Sequence, residues 1–239
     1  MNIGDEASGA HLKAFVHSCK TVAAMDAQTA TRQLNHCFEN WGLPKCIKVD
    51  NGYPFVYPQQ MDLPTKAKLW WIGLGIQVIQ NTPGRPQENG IVEGLQGTLC
   101  KWSNPNKQAN EQALQKRLDK ESDFHRNHYR IPSQKHKTRI ELYPTLSKNT
   151  RRFNPDAFSI QKVYNWMKHQ VWDRTLNANG ELKMYDTSIY VGTRYKHLNV
   201  TVTFDPLEAK WIIRHLDGTF LKHSDKVIPT ENSIKDFAL

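Results

Sequence analysis

Cysteine is scarce in this sequence, and its arrangement excludes two common kinds of site. The chain has four cysteines among 239 residues, and no two of them form a CxxC pair, so neither a zinc ribbon nor a CxxC redox motif is indicated. The ten histidines are scattered without the spacing of metal ligands. We expect reduced cysteines and a cytoplasmic protein, because disulfides are rare in that compartment.

Long hydrophobic runs, internal repeats and low-complexity tracts are also lacking. No apolar stretch approaches the roughly 20 residues that a membrane-spanning helix needs, so we expect no membrane partner. Hydrophobic residues make up 38% of the chain, which is enough to bury a normal core. The length suits one large domain, or a larger domain followed by a smaller one.

Acidic residues are outnumbered by basic ones, and the excess is uneven. The net charge is +9 and the pI is near 9.3. Residues 1–129 hold 14 Lys/Arg and 12 Asp/Glu, whereas residues 130–239 hold 18 and 11. A basic balance favours a polyanionic partner, nucleic acid first. The alternative is a basic protein with solvated faces, and charge alone leaves both open.

Local signals predict a helix and a strand in the first part of the chain. Asp26 is the predicted N-cap of a helix that runs to about Trp41. Cys46–Val49 is a short apolar run that predicts a strand. Asp50 then stands at the C-terminal end of that strand, where ligands and catalytic groups collect in open α/β sheets.

A second helix is predicted after the turn-rich segment 81–87, from about Asn89 to Trp102. It carries Glu93, which lies outside the predicted apolar stripe. The predicted buried residues of this helix are Ile91, Leu95, Leu99 and Trp102.

The last third of the chain reads differently. Five short β-rich runs between Val171 and Leu221, separated by turn signals, predict a small β-barrel. Trp166, Trp172, Trp211 and Tyr190 are interpreted as core residues of the short helix and the barrel, with base stacking as the alternative. Residues 133–152 form a basic linker, which either follows a DNA backbone or is a solvated tether.

Three motifs in the first hundred residues occur in the order found in one known family. The stretch Ile3–Lys101 resembles the catalytic core of retroviral integrases and of the related DDE transposases of insertion sequences. Asn127–Pro132 also resembles the tail of that core. The motifs that carry the resemblance are Gly4-Asp5-Glu6-Ala7-Ser8-Gly9 for D-x-x-S-G, Asp50-Asn51-Gly52 for D-N-G, and Pro86-Gln87-Glu88-Asn89-Gly90-Ile91-Val92-Glu93 for P-x-x-N/Q-G-x-V-E.

The resemblance implies an α/β fold, namely a ribonuclease-H-like integrase core with a mixed sheet and flanking helices. A small all-β barrel is expected to follow it. The expected domains are a core over 1–132 without the family's first strand, a basic linker with a short helix over 133–167, the barrel over 168–228 and a tail over 229–239.

The resemblance also implies a polynucleotidyl transferase that cleaves DNA and transfers strands with two Mg²⁺ or Mn²⁺ ions. Asp50 and Glu93 are the expected catalytic and metal-binding residues. Expected partners are double-stranded DNA, at element ends and target, and further copies of the chain, in a bacterial cytoplasm or nucleoid. The residues expected to contact DNA are Asn51, Arg85, Gln87, Asn89 and Lys101.

Two of these DNA contacts have ordinary structural alternatives. Asn89 is equally suited to capping the helix that follows it. Arg85 is equally interpreted as a surface residue of a turn.

The family's first catalytic Asp has no counterpart here, because it lies on a strand before the segment that matches Ile3–Gly9. Asp5 corresponds better to a residue of the second strand, or to a turn residue. We therefore expect very weak strand transfer from this chain alone. The alternatives are a non-catalytic DNA-binding or regulatory remnant of a transposase and, less favoured, a metal-dependent nuclease of the same fold.

Overall fold

The computed structural model describes residues 1–17, 25–57, 62–82 and 84–239. Helices and sheets both contribute, so the mixed α/β class is confirmed. The chain forms two compact units, each built from two stretches of sequence. The first unit is Met1–Pro54 with Ile79–Phe153, and the second is Phe55–Val78 with Asn154–Leu239.

The described residues form seven α-helices and ten strands. The helices are α1 (Ala27–Trp41), α2 (Lys66–Gly73), α3 (Gly90–Ser103), α4 (Glu111–Asn127), α5 (Arg139–Leu142), α6 (Ile160–Lys168) and α7 (Glu231–Ala238). The strands are β1 (Asn2–Asp5), β2 (Ala10–Ala14), β3 (Cys46–Val49), β4 (Gln77–Gln80), β5 (Trp172–Thr175), β6 (Glu181–Met184), β7 (Thr187–Tyr190), β8 (Asn199–Asp205), β9 (Lys210–His215) and β10 (Phe220–Ser224).

The strands form four small sheets. β1 pairs with β2 in an antiparallel hairpin, and β3 pairs with β4. In the second unit β5, β8, β9 and β10 form a four-stranded sheet in the order β10-β9-β8-β5, and β6 pairs with β7. The described strands do not close into a barrel, so the barrel and the ribonuclease-H-like topology stay predictions, as do the domain boundaries.

Helix α1 and strand β3 lie where local signals place them. The Asp26 carboxylate accepts a hydrogen bond from the Thr29 backbone N–H at 2.8 Å and so caps α1. Gly42 ends the helix with a φ of 77°, a conformation that favours glycine. Strand β3 has the predicted bounds, so Asp50 directly follows it.

Helix α3 differs from its predicted burial pattern. Leu95 and Leu99 are buried, but Ile91 is 44% exposed, so its predicted burial is wrong. The reason is that α3 meets β1 through Leu95, whose side chain lies against Gly4. The end of the helix packs on α4, where the Trp102 and Phe124 rings meet, whereas a Cβ added at Gly90, Gly94 or Gly97 would have open space.

Side chains of α4 form hydrogen bonds with the backbone of β2 and the residues after it. Gln115 donates to Ala14 O at 2.8 Å and accepts from Val16 N–H at 3.0 Å. Arg126 donates to His11 O at 2.8 Å and to Leu12 O at 3.1 Å. An edge strand needs such partners because its backbone groups otherwise remain unpaired.

Two buried histidines belong to the same contact, and their bonds and surroundings favour neutral rings. Ser122 Oγ donates to the Leu118 carbonyl at 2.6 Å, so it accepts from His11 Nδ1–H at 2.8 Å. His125 Nδ1 accepts from the His11 backbone N–H at 3.4 Å. His11 Nε2 is buried and unpaired among the described residues, so a proton on this ring would lie beside the Arg126 cation.

Burial accordingly lowers the pKa of both histidines. The pKa of His11 falls from 6.5 to about 3 because of burial, with smaller contributions from His125, Arg126 and the N-terminus. The pKa of His125 falls from 6.5 to about 4 because of burial, with smaller contributions from Arg139 and Arg126.

The second unit has an aromatic core. Trp172 and Trp211 are fully buried and meet edge to face, with their ring centroids 5.3 Å apart. Trp211 Nε1–H donates to Lys226 O at 2.9 Å, which satisfies the polar edge of the indole. The predicted core role of both tryptophans agrees with this burial. Trp166 is half-buried, and Tyr190 is 48% exposed, so its predicted core role is wrong.

Three features of the chain after residue 132 were not in the sequence-based predictions. Strand β6 was not predicted, and α7 occupies most of the predicted tail. The basic segment is folded, because it includes α5 and because Leu43 N–H donates to Arg151 O at 2.7 Å. Arg151 in turn donates to Pro44 O at 2.7 Å. A solvated tether is therefore the wrong description of this segment.

Acid should destabilise the first unit. Below about pH 6.5 the unfolded chain binds protons at His11 and His125, whereas the folded unit does not until pH nears their lowered pKa values. Stability is therefore complete above that pH and falls as pH is lowered, by on the order of 2 kcal/mol per histidine at about pH 5. Hydrogen exchange of the β2 and α4 backbone measures the change. His125→Gln should remove about half of this loss of stability at low pH. His128→Gln, at an exposed histidine, is the control and should not change it. Equal pH dependence in all three proteins would contradict the role of the buried histidines.

Replacing Gly180 should destabilise the second unit. Its φ is +72°, and an added Cβ would overlap the carbonyl group of Gly192. Gly180→Ala should cost about 2 kcal/mol or more. Gly218→Ala is the matched control, because Gly218 also has a positive φ, +90°, but has open space at its Cβ position. Urea unfolding should show the larger loss at Gly180, and equal losses would contradict the steric explanation.

Candidate active site

Asp50 presents its carboxylate at the end of β3. Its side chain is exposed, and Oδ1 accepts a hydrogen bond from the Gly52 backbone N–H at 3.0 Å. This bond closes the Asp-Asn-Gly turn, and it explains why a short acceptor followed by a glycine suits the position. No described residue bonds Oδ2, so that oxygen is available to a ligand.

Three asparagines join the Asp50 turn to the segment before α3. Asn51 Nδ2 donates to the Asn81 backbone carbonyl at 2.7 Å. Asn81 donates its backbone N–H to Val49 O at 3.1 Å and its side-chain Nδ2 to Asn89 Oδ1. We call Asn51, Asn81 and Asn89 the amide chain.

Asn89 does not cap α3 with its side chain. The capping alternative is therefore wrong, because the Asn89 oxygen is used as the acceptor for Asn81. The preceding residues form one turn of 3-10 helix, Pro86–Asn89, and Gly90 N–H donates to Gln87 O. The amide chain therefore ends one residue before α3.

Glu93 lies in the first turn of α3. Its side chain is exposed, and it makes no hydrogen bond or ion pair with the described residues. The amide chain thus holds two segments together, one that carries the exposed Asp50 and one that leads into the helix carrying Glu93.

The other predicted DNA contacts are placed as follows. Arg85 and Gln87 are exposed beside the amide chain, whereas Asn51 is half-buried and bonded to Asn81. Lys101 is exposed on α3, two turns after Glu93. Pro83, in the predicted turn, lies outside the described residues. The assignment of these side chains to DNA stays a prediction.

Asp5 serves the β1–β2 hairpin. Its Oδ2 accepts from the Ser8 backbone N–H at 2.8 Å and from Ser8 Oγ–H at 2.5 Å. Gly9 follows with a φ of +60°. Asp5 is the last residue of β1 and its side chain closes the turn that follows. The turn role is therefore observed, and the correspondence of β1 to the family's second strand stays a prediction.

The chemistry of this site is that of exposed oxygen donors. Among the described residues no three His, Cys, Asp or Glu side chains gather closely enough to hold a metal ion. Asp50 and Glu93 are nevertheless hard carboxylate ligands of the kind that Mg²⁺ and Mn²⁺ take with several waters. The donor types therefore fit such a cation, with the remaining ligands supplied by water or substrate.

Asn81 is the site residue that sequence reasoning missed. It belongs to none of the three motifs, yet it connects two of them. A signal did exist, since Asn81 directly follows β4 as Asp50 follows β3, and polar residues at strand ends are candidates for a site.

A scan against protein-family models finds none that matches this chain. In the part of the chain that the structure describes, no helix is both long enough and apolar enough to cross a membrane.

Removing either carboxylate should weaken Mn²⁺ binding by at least about tenfold, because each supplies a charged oxygen ligand. Calorimetry should show this loss for Asp50→Asn and for Glu93→Gln. Asp205→Asn is the control for the first, because Asp205 Oδ1 also accepts a bond two residues on, from Leu207 N–H.

Glu111→Gln is the control for Glu93→Gln, since Glu111 is also an exposed carboxylate in the first turn of its helix. Both controls should bind Mn²⁺ as the parent does. Equal binding by the parent and both site variants would contradict the assignment.

Proposed function

We propose that this chain carries the catalytic core of an integrase-like DDE transposase, which cleaves DNA and transfers strands. The observation that carries the proposal is the amide chain, because it ties the Asp-Asn-Gly turn of Asp50 to the segment leading into the Glu93 helix. These are two of the motifs on which the resemblance rests, and they are 43 positions apart in the sequence.

The order of elements supports the same proposal. An antiparallel hairpin, β1–β2, is followed by α1, the short strand β3, and later by β4 and α3. That order agrees with a ribonuclease-H-like core in which the hairpin stands for the second and third strands. The second unit is rich in strands, as the barrel implied by the resemblance would be. Its strand content is the only respect in which it supports that barrel.

In this proposal Asp50 and Glu93 hold the divalent cation from β3 and α3. Mg²⁺ or Mn²⁺ ions held there, two in an intact site, would activate the attacking hydroxyl and stabilise the leaving oxygen. A three-carboxylate site needs one ligand more than this pair. Arg85, Gln87 and Lys101 would contact the DNA beside it.

The proposed reaction is phosphoryl transfer in two steps. Water attacks a phosphorus of the element strand, the bond from phosphorus to the 3′ oxygen breaks, and a 3′ hydroxyl leaves. That hydroxyl then attacks a target phosphorus, and the 3′ hydroxyl of the target strand leaves. A second copy of the chain on the paired element end is part of the proposal.

A second candidate function, DNA binding without catalysis, is favoured by the charge of the first unit. That unit holds 19 Lys/Arg and 12 Asp/Glu, a net +7, whereas the second holds 13 and 11, a net +2. The folded basic segment, residues 133–152, supplies most of this excess, because it holds six Lys/Arg and one Glu. Its exposed basic side chains are Lys135, Lys137, Lys148 and Arg152.

Products formed from DNA distinguish the candidates. The chain is incubated with Mn²⁺, supercoiled plasmid and short duplexes of random sequence. Joining of a 3′ end to the plasmid supports the transferase, at the low rate expected of two carboxylates, and it should disappear in Glu93→Gln. Nicking without joining identifies a nuclease, and binding without either product identifies the remnant and overturns the catalytic proposal.

DNA affinity should fall with salt, with a slope of log K against log salt of about −0.9 per phosphate contact. Lys135→Gln with Lys137→Gln should make the slope less negative by about 2, because two contacts are lost. Lys183→Gln with Lys196→Gln removes two exposed charges of the second unit and is the control. If only Lys183→Gln with Lys196→Gln changes the slope, the phosphate contacts lie on the second unit. That result would contradict their assignment to the basic segment.

A further inference from the structure

Asn81 is a buried polar residue at the junction of three segments. It is 6% exposed, and it bonds β3, the Asp50 turn and the residue before α3. The bonds to Val49 and Asn51 use its backbone, whereas the bond to Asn89 uses its side chain. A substitution of the side chain therefore cuts the link to α3 and leaves the link to β3 in place.

The remaining atom of this side chain is unsatisfied. Asn81 Oδ1 is buried and has no hydrogen-bond partner among the described residues. A buried polar atom without a partner lowers stability, and an apolar residue of similar shape avoids that cost. Stability therefore does not explain an asparagine here, whereas orientation of a neighbouring segment does.

We propose that Asn81 is a positioning residue, which fixes the start of α3, and with it Glu93, relative to Asp50. It acts through Asn89 and does not touch the substrate. Its effect on cation binding rests on the proposed function, but its effect on the local backbone does not.

The test compares Asn81→Leu with the parent and with Asn35→Leu. Asn35 is the matched control because it is also 6% exposed and belongs to α1 of the same unit. Three quantities are measured: the urea midpoint, hydrogen exchange of the segments 49–53 and 84–95, and Mn²⁺ affinity by calorimetry.

In Asn81→Leu the backbone amides of residues 84–95 should exchange roughly fivefold faster than in the parent, since one hydrogen bond holding that segment is lost. It should bind Mn²⁺ roughly tenfold more weakly, as expected when a group that orients a ligand is removed. Its urea midpoint should equal or exceed that of the parent. Asn35→Leu should leave exchange of 84–95 and Mn²⁺ affinity unchanged.

Asn89 provides the rescue experiment. Asn89→Ala removes the acceptor of the Asn81 bond and should reproduce the faster exchange and weaker binding. Asn89→Asp keeps an oxygen acceptor for Asn81 Nδ2 and should behave as the parent in exchange. A merely space-filling role for Asn81 would not separate these two variants.

The failures are distinguishable. Unchanged exchange of 84–95 in Asn81→Leu overturns the positioning role, and so does faster exchange with unchanged Mn²⁺ affinity. Absence of Mn²⁺ binding by the parent overturns the cation site of the proposed function. The exchange data then still decide whether Asn81 positions α3.

Discussion

A strand in a two-stranded sheet has a neighbour on one side, so its other edge must find partners elsewhere. The β1–β2 hairpin of the first unit is such a sheet, and side chains provide the missing bonds of β2. Gln115, His125 and Arg126 of α4 bond the backbone of β2. The packing of α4 on β2 supplies these bonds, and His125 accepts one of them only with an unprotonated Nδ1.

The candidate site lies at the end of the β3–β4 pair. Asn81 directly follows β4, its backbone N–H donates to the carbonyl of Val49, the last residue of β3, and its own carbonyl accepts from Asn51 Nδ2. Asn89 then brings the start of α3 to the same point. Two exposed carboxylates, Asp50 and Glu93, are thus attached to segments that the amide chain holds together. The proposed cation site rests on this pair, since Mg²⁺ is usually held by one or two carboxylates and keeps several waters.

Local patterns predicted the elements whose signals are local. The Asp26 cap and the apolar run Cys46–Val49 defined α1 and β3, because capping and strand propensity act within a few residues. Strand β6 was missed since its Glu-Leu-Lys-Met sequence favours helix. Ile91 was misplaced because burial depends on what packs against α3. The bonds of Asn81 cross 30 positions to Asn51, and no local pattern contains them, so the motifs identified Asp50 and Glu93 but not the residue that joins them.

In the proposed function, Asp50 and Glu93 bind one cation together. Paramagnetic broadening by Mn²⁺ in a two-dimensional NMR titration tests it directly, because broadening reports only nuclei close to the bound ion. The account predicts that the backbone amide signals of Asn51 and Gly52 and those of Val92 and Gly94 broaden together, at the same substoichiometric Mn²⁺ concentration. Broadening of the signals of one segment without those of the other would contradict a shared site. So would earlier broadening of signals near the exposed carboxylates of the second unit.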